Sequence, residues 1–149
     1  MKDQLRIQTE ICQPEETVVD SELDLVVPFT DPVLTRAAVA AADRLAHGLR
    51  ATLRLVRVQL VPFPCDLDHP PVPLDFLHEQ LTKFRSALPL QGEVCLARDF
   101  QQGLMTTLRE DSTVVLASKK RPWKTRTERL AAALRRAGIR TILVFEGEA

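Results

Sequence analysis

Residues 112–126 read STVVLASKKRPWKTR, and the organisation of the chain follows from how this stretch is parsed. The apolar run Val114-Val115-Leu116 has the length of a buried strand and stops at the small residues Ala117 and Ser118. Lys119, Lys120, Arg121, Lys124 and Arg126 follow, grouped around Pro122 and the single tryptophan, Trp123. Thr125-x-x-Glu128 then has the spacing of a capping box and opens a helical pattern. Leu130, Ala133, Leu134 and Ala137 form its apolar stripe, and Gly138 stops it. Strand, loop, helix is the junction at which ligands settle in open α/β sheets.

The alternation continues in both directions. After Gly138, Ile139–Phe145 (IRTILVF) reads as a last strand. Before Ser112, Asp99 caps a helix whose buried side is Phe100, Leu104 and Leu108, with Gln102 at the capping distance. Glu93–Arg98 is a short strand. Leu74, Leu77, Leu81, Phe84 and Leu88 fall on one helical stripe, expected to end at Pro89 and Gly92. Thr52–Val61 is a strand in which Arg54, Arg57 and Gln59 interrupt the apolar run, so one partly wet face is expected. Thr30 or Asp31 caps an alanine-rich helix that starts at Pro32, carries Leu34, Ala37, Ala38, Ala41 and Leu45 on one side, and stops at Gly48. Leu23–Val27 is the strand before it. Five strands alternating with four helices predict an α/β three-layer sandwich: a five-stranded parallel sheet, right-handed crossovers, helices on both faces. Residues 1–22 carry only a weak alternation, broken at Pro14, and read as an N-terminal arm or a short edge strand before a single domain over 23–149.

Net charge is zero and the sequence pI near 6.8, so no nucleic-acid or membrane partner is expected. The charge is unevenly spread, however. Residues 1–24 are acidic (Asp3, Glu10, Glu15, Glu16, Asp20, Glu22, Asp24), whereas 119–140 add Arg129, Arg135, Arg136 and Arg140 to the loop cations. That asymmetry predicts an anion site, or attraction between the two segments. Cys12, Cys65 and Cys95 have neither zinc nor redox spacing, and Asp66, Asp68 and His69 lack a further ligand at motif spacing, so no metal is expected. The opening MKDQLRIQTEICQPEE does not read as a signal peptide and no run approaches a membrane span, so a cytoplasmic protein is expected.

In order and spacing, LDLVVPFTDPVLTRAAVAAADRLAHG, ATLRLVRVQLV, EVCLARDFQQGLMTTLRED, STVVLAS and ERLAAALRRAGIRTILV resemble the universal stress protein family, of the adenine nucleotide alpha-hydrolase-like fold, over roughly residues 23–145. The resemblance implies a sheet order 3-2-1-4-5, counting from Leu23–Val27, with Phe29-Thr30-Asp31 meeting Ala117-Ser118-Lys119-Lys120 at the switch point. ATP-binding members use an Asp after the first strand and Gly-x2-Gly-x9-Gly followed by Ser or Thr after the fourth. This chain departs at each point. Thr30 takes the Asp position, with Asp31 next. Ala117 and Lys120 replace two glycines, and Thr127 falls near the third in a shorter loop. ATP binding in the usual family manner is therefore not expected.

Three readings of the loop remain open. Lys119, Lys120, Lys124 and Arg126, with Thr30, Asp31, Ser118, Thr125 and Thr127, would hold ATP, AMP or phosphate; Trp123 would anchor a protein partner; or the cations are solvated and Trp123 packs over a sheet edge. No nucleophile–base pair is apparent, so a non-catalytic regulatory or stress-response protein is expected, without an obligatory cofactor. A nucleotide or anion sensor is the first alternative, a nucleotide hydrolase or nucleotidyl transferase the second. The resemblance also implies a homodimer paired through the last strand at Ile139, Thr141, Leu143 and Phe145.

Overall fold

The computed structural model describes residues 6–11, 23–62 and 73–146. In chain order the elements are β1 (Arg6–Ile11), β2 (Leu23–Pro28), α1 (Pro32–Leu45), β3 (Ala51–Leu60), α2 (Leu74–Leu81), β4 (Leu90–Ala97), α3 (Phe100–Thr107), β5 (Ser112–Ser118), α4 (Arg126–Arg136) and β6 (Arg140–Phe145). The sheet runs β1-β4-β3-β2-β5-β6. From β4 to β6 every neighbour is parallel, so the five strands β2 to β6 take the order 3-2-1-4-5. A sixth strand, β1, lies antiparallel on β4 with Arg6 opposite Leu96. Of the two expectations for the N-terminal segment, 6–11 thus form the edge strand. The Asp66, Asp68 and His69 cluster, Cys12 and Cys65 lie outside the described residues. Among the described residues no helix is long and apolar enough to cross a membrane.

Both faces of the sheet are buried, which is why its strands read as apolar runs rather than strict alternations. On one face Leu25, Val27, Leu53, Leu55, Val115 and Ala117 pack under α1 and α2. On the other, Val26, Val56, Val58, Val114 and Leu116 pack under α3 and α4 through Leu104, Ala131 and Leu134. At Gly103 α3 touches the sheet so closely that a Cβ would stand 2.7 Å from the Cβ of Ala97 and 3.0 Å from Val58 Cγ1. Only glycine fits that contact.

The helix ends follow local chemistry. Asp31 accepts from the Leu34 N–H and Asp99 from the Gln102 N–H, each at the start of its helix. After α1 and α4, Gly48 and Gly138 take positive φ of 78° and 85°. The α2 stripe is where expectation and structure part. The helix ends at Leu81, and Phe84 and Leu88 reach the core from an irregular connection instead. Asp43 of α1 holds that connection, accepting from the Ser86 hydroxyl and from the Ala87 N–H. Side-chain and backbone bonds made there replace the helical ladder. Gly92 does not stop a helix but sits inside β4, which starts three residues before the expected Glu93.

Arg54 is a second departure. The expected wet face is absent at this position: Arg54 is 4% exposed, on the α3–α4 side. Its Nε and Nη2 donate to the two oxygens of Asp24 at 2.9 and 2.7 Å. Nη1 donates to Glu93 Oε2 at 3.0 Å and to the Thr107 carbonyl at 2.7 Å. Ser112 also donates to Asp24. Asp24 is therefore not part of an acidic surface. It is buried at the amino end of the sheet, about 20 Å, or six strand residues, from the opposite ends of the strands. It cannot compete with an anion there.

Burial alone would raise the Asp24 pKa, but hydrogen bonds from Arg54 and Ser112 and the charge of Arg54 outweigh it and hold the carboxyl below the usual carboxylate range. A depressed folded-state pKa contributes stability that is present above the unfolded value of about 3.9 and is lost as pH falls through the folded one. Arg54→Met removes the compensation and leaves buried carboxylates unpaired. The expected loss is about 3–5 kcal/mol at pH 7 in urea unfolding. The pH dependence of the Asp24 contribution should reverse: desolvation now raises the Asp24 pKa, so relative to the parent the variant gains stability as pH falls from 7. Parallel profiles for the two proteins would contradict this account.

Candidate functional site

Parallel strands with helices on both faces leave a crevice where neighbouring crossovers depart to opposite sides. Here that point lies between the ends of β2 and β5. Pro32 leads α1 to one face after β2, and the 119–125 loop leads α4 to the other after β5. A cleft of about 950 Å³ opens at this place. Its floor is the carboxyl end of the sheet: Phe29, Val58, Leu60 and Ser118. Thr30, Asp31 and Leu34 form the α1 side. Lys119, Arg121, Trp123, Lys124 and Thr125 come from the loop, and Arg126, Thr127, Arg129 and Leu130 from α4. Phe100, at the start of α3, completes the lining.

Of the nine ligand-site residues expected from sequence, the structure brings eight to this cleft. Lys120 is not among the lining residues. Trp123 also lines it, 63% exposed. The residues expected at a dimer interface lie elsewhere, on and beside β6. That strand pairs with β5 and with no other described strand, so it is a sheet edge among the described residues, and its Thr141 carbonyl accepts from Arg135 Nη2 at 3.0 Å. Ile139 and Leu143 are half-buried and lean inward on the α4-side core.

The start of α4 is chemically occupied. Thr125 accepts from the Glu128 N–H, and Glu128 Oε1 accepts from the Thr125 N–H at 3.1 Å, a complete capping box. The Ser118 and Thr125 hydroxyls are hydrogen-bonded to each other at 2.6 Å. Ser118 O accepts from the Glu146 N–H. Thr127 is buried. The Ser118 and Thr125 hydroxyls and the Thr125 and Glu128 N–H groups are thus engaged within the protein, and the Glu128 carboxylate offsets the positive helix end. With Ala117 buried at the end of β5 and no glycine between 103 and 138, the glycine cradle for ATP phosphates does not fit these residues.

What the cleft does offer is side-chain charge. Among the described residues, Arg57, Lys119, Arg121, Lys124, Arg126 and Arg129 line it, against one acid, Asp31. One Asp31 oxygen is already engaged at the Leu34 N–H. Arg57 was not singled out as a site residue from sequence. Its guanidinium lies 4.6 Å from the centre of the Phe29 ring. Phe29 meets Phe84 edge-on at 5.8 Å, and Arg36 covers Phe84 from beyond at 5.6 Å. Burial pulls the Arg57 guanidinium below the ordinary arginine range, and its Nε is buried with no hydrogen-bond partner. The available signal was strand parity. Leu53, Leu55 and Arg57 share a face, and Arg57 is the member nearest the carboxyl end, where a switch-point cleft must open. Arg129 had a signal too, lying three residues after Arg126 on the same helix.

Scanned against protein-family models the chain matches none, and no curated protein matches it significantly. Among the described residues no cluster of three or more His, Cys, Asp or Glu side chains is arranged to hold a metal ion.

Proposed function

We propose that this chain is a non-catalytic regulatory protein of the universal stress protein type, cytoplasmic, whose switch-point cleft senses a small anionic ligand through side-chain cations rather than a backbone cradle. One observation carries the proposal: among the described residues, six cationic side chains and a single carboxylate line a cleft of about 950 Å³. A cleft of that size accommodates a nucleotide-sized molecule. Low-dielectric walls concentrate the field of the lining cations, so an anion entering gains more than it would at an open surface. Phe29, Phe100, Leu60 and Trp123 supply apolar surface for a base or sugar. A protein partner at the Trp123 loop is the second reading, favoured by the exposure of Trp123 beside Arg121 and Lys124.

Trp123 is the only tryptophan and lines the cleft, so its fluorescence reports occupancy directly. Titration with ATP, ADP, AMP and inorganic phosphate, paired with calorimetry, is expected to give saturable quenching that weakens as salt is raised. Incubation with ATP and magnesium should leave the nucleotide intact. A flat response to all four ligands by both methods would remove the sensor reading, and a response to an acidic peptide alone would favour the protein-partner reading.

The β6 edge is the proposed dimer contact, with strands paired about a twofold axis. Sedimentation velocity at micromolar concentration is expected to show twice the chain mass, and a monomer throughout that range would exclude this assembly. Substituting Leu143 is a poor test, because Leu143 also packs inward on the core and its loss would weaken the fold itself.

A further inference from the structure

The cleft cations come from two separated places, and this constrains the ligand more tightly than their number does. Arg57 stands on β3, on the α1 side of the sheet. Lys119, Arg121, Lys124, Arg126 and Arg129 stand on the loop and helix that follow β5. In the sheet β2 lies between β3 and β5. Two strand spacings, about 9–10 Å, therefore separate the strand ends that carry the two sets. Just past the intervening end of β2 stands Asp31, the one acid of the lining among the described residues.

Building on the anion-sensing reading, we infer that the cleft recognises a molecule with two separate anionic groups joined by a neutral, hydroxyl-bearing segment, Arg57 holding one group and the β5–α4 cations the other. The chemical class is a sugar or nucleoside bisphosphate. Three features of the site support it. Arg57 is held in place by the Phe29 face, which is itself braced by Phe84, so little side-chain freedom is lost on binding. Among the described residues no carboxylate pairs with it, and a guanidinium whose Nε is left without an acceptor gains from a phosphate or carboxylate that supplies one. Asp31 repels a continuous polyphosphate laid across β2, whereas hydroxyls in the middle of a ligand can donate to it. A single phosphate satisfies the loop cations and leaves Arg57 as it was.

The test compares ligands that differ by one phosphate. AMP is set against adenosine 3′,5′-bisphosphate, and fructose 6-phosphate against fructose 1,6-bisphosphate, by calorimetry on the full chain. The two pairs separate a nucleoside from a sugar as the source of the hydroxylated segment. Within at least one pair the bisphosphate is expected to bind about tenfold or more tighter, the gain from one added charge-assisted contact. Arg57→Gln should bring that ratio close to one and leave monophosphate affinity nearly unchanged. Arg57→Lys, which keeps the charge and loses the planar fork, should retain part of the ratio. Lys124→Ala combined with Arg126→Ala should weaken both members of the pair. Thermal melts confirm that each variant is folded, and Arg57→Lys carries the test if Arg57→Gln is not. Equal affinity for one and two phosphates in the parent protein, or a ratio that survives Arg57→Gln, would overturn the inference while leaving anion sensing intact. No binding by any of the four would overturn both.

Discussion

Arg54 ties the sheet together from inside. It reaches Asp24 on β2, Glu93 on β4, the Thr107 carbonyl at the end of α3 and, through Nη2, Ser112 at the start of β5. Four adjacent strands and one helix are thereby fixed at one end by a single guanidinium. A buried charge of this kind is stabilising only while every partner is in place, because desolvating it costs several kcal/mol. It therefore acts as a register device: a strand slipped by one residue would carry its partner to the opposite face. With the amino ends held, the carboxyl ends of β2, β3 and β5 are positioned relative to each other, and those ends form the floor of the cleft.

The two arginines of β3 show how one strand serves both ends. Arg54 and Arg57 are three residues apart, so alternation puts them on opposite faces. One is neutralised by carboxylates from neighbouring strands. The other rests on an aromatic ring with no acceptor at its Nε. At the start of α4 the protein bonds Thr125 to Glu128 and to Ser118, and a carboxylate stands at the positive helix end. The recognition chemistry proposed for the cleft thus moves from backbone N–H groups to side chains. Arginine and lysine can span more distance than a glycine loop, and they set how the anionic groups must be spaced.

Local signals were the legible ones. Asp31, Asp99 and the Thr125–Glu128 pair cap helices because the bonds they make reach three residues along the chain, and Gly48 and Gly138 end helices because only local φ is at stake. The parallel order of β2 to β6 also came through, since alternating elements and resemblance together leave few topologies. Arg54 was not legible. Its partners lie 30, 39 and 58 residues away, and the strand is apolar on both faces, so composition alone could not say whether the charge meets water or a carboxylate. Phe84 and Leu88 keep helical spacing yet are not helical, because burial was the shared property and Asp43 supplied a competing set of bonds. For the cleft, the loop and its cations were visible as a run in sequence. Arg57, which the strand order places across β2 from them, was visible only through strand parity.

The central claim is that an anion sits among these cations, and mapping its position tests that most directly. Backbone amide shifts of the isotope-labelled chain, followed by NMR during titration with adenosine 3′,5′-bisphosphate at low salt, are expected to move saturably at residues 29–31, 57–60 and 118–130 and to return as salt is raised. Shifts that fail to saturate, or that centre on the β6 edge or the amino end of the sheet, would contradict the account.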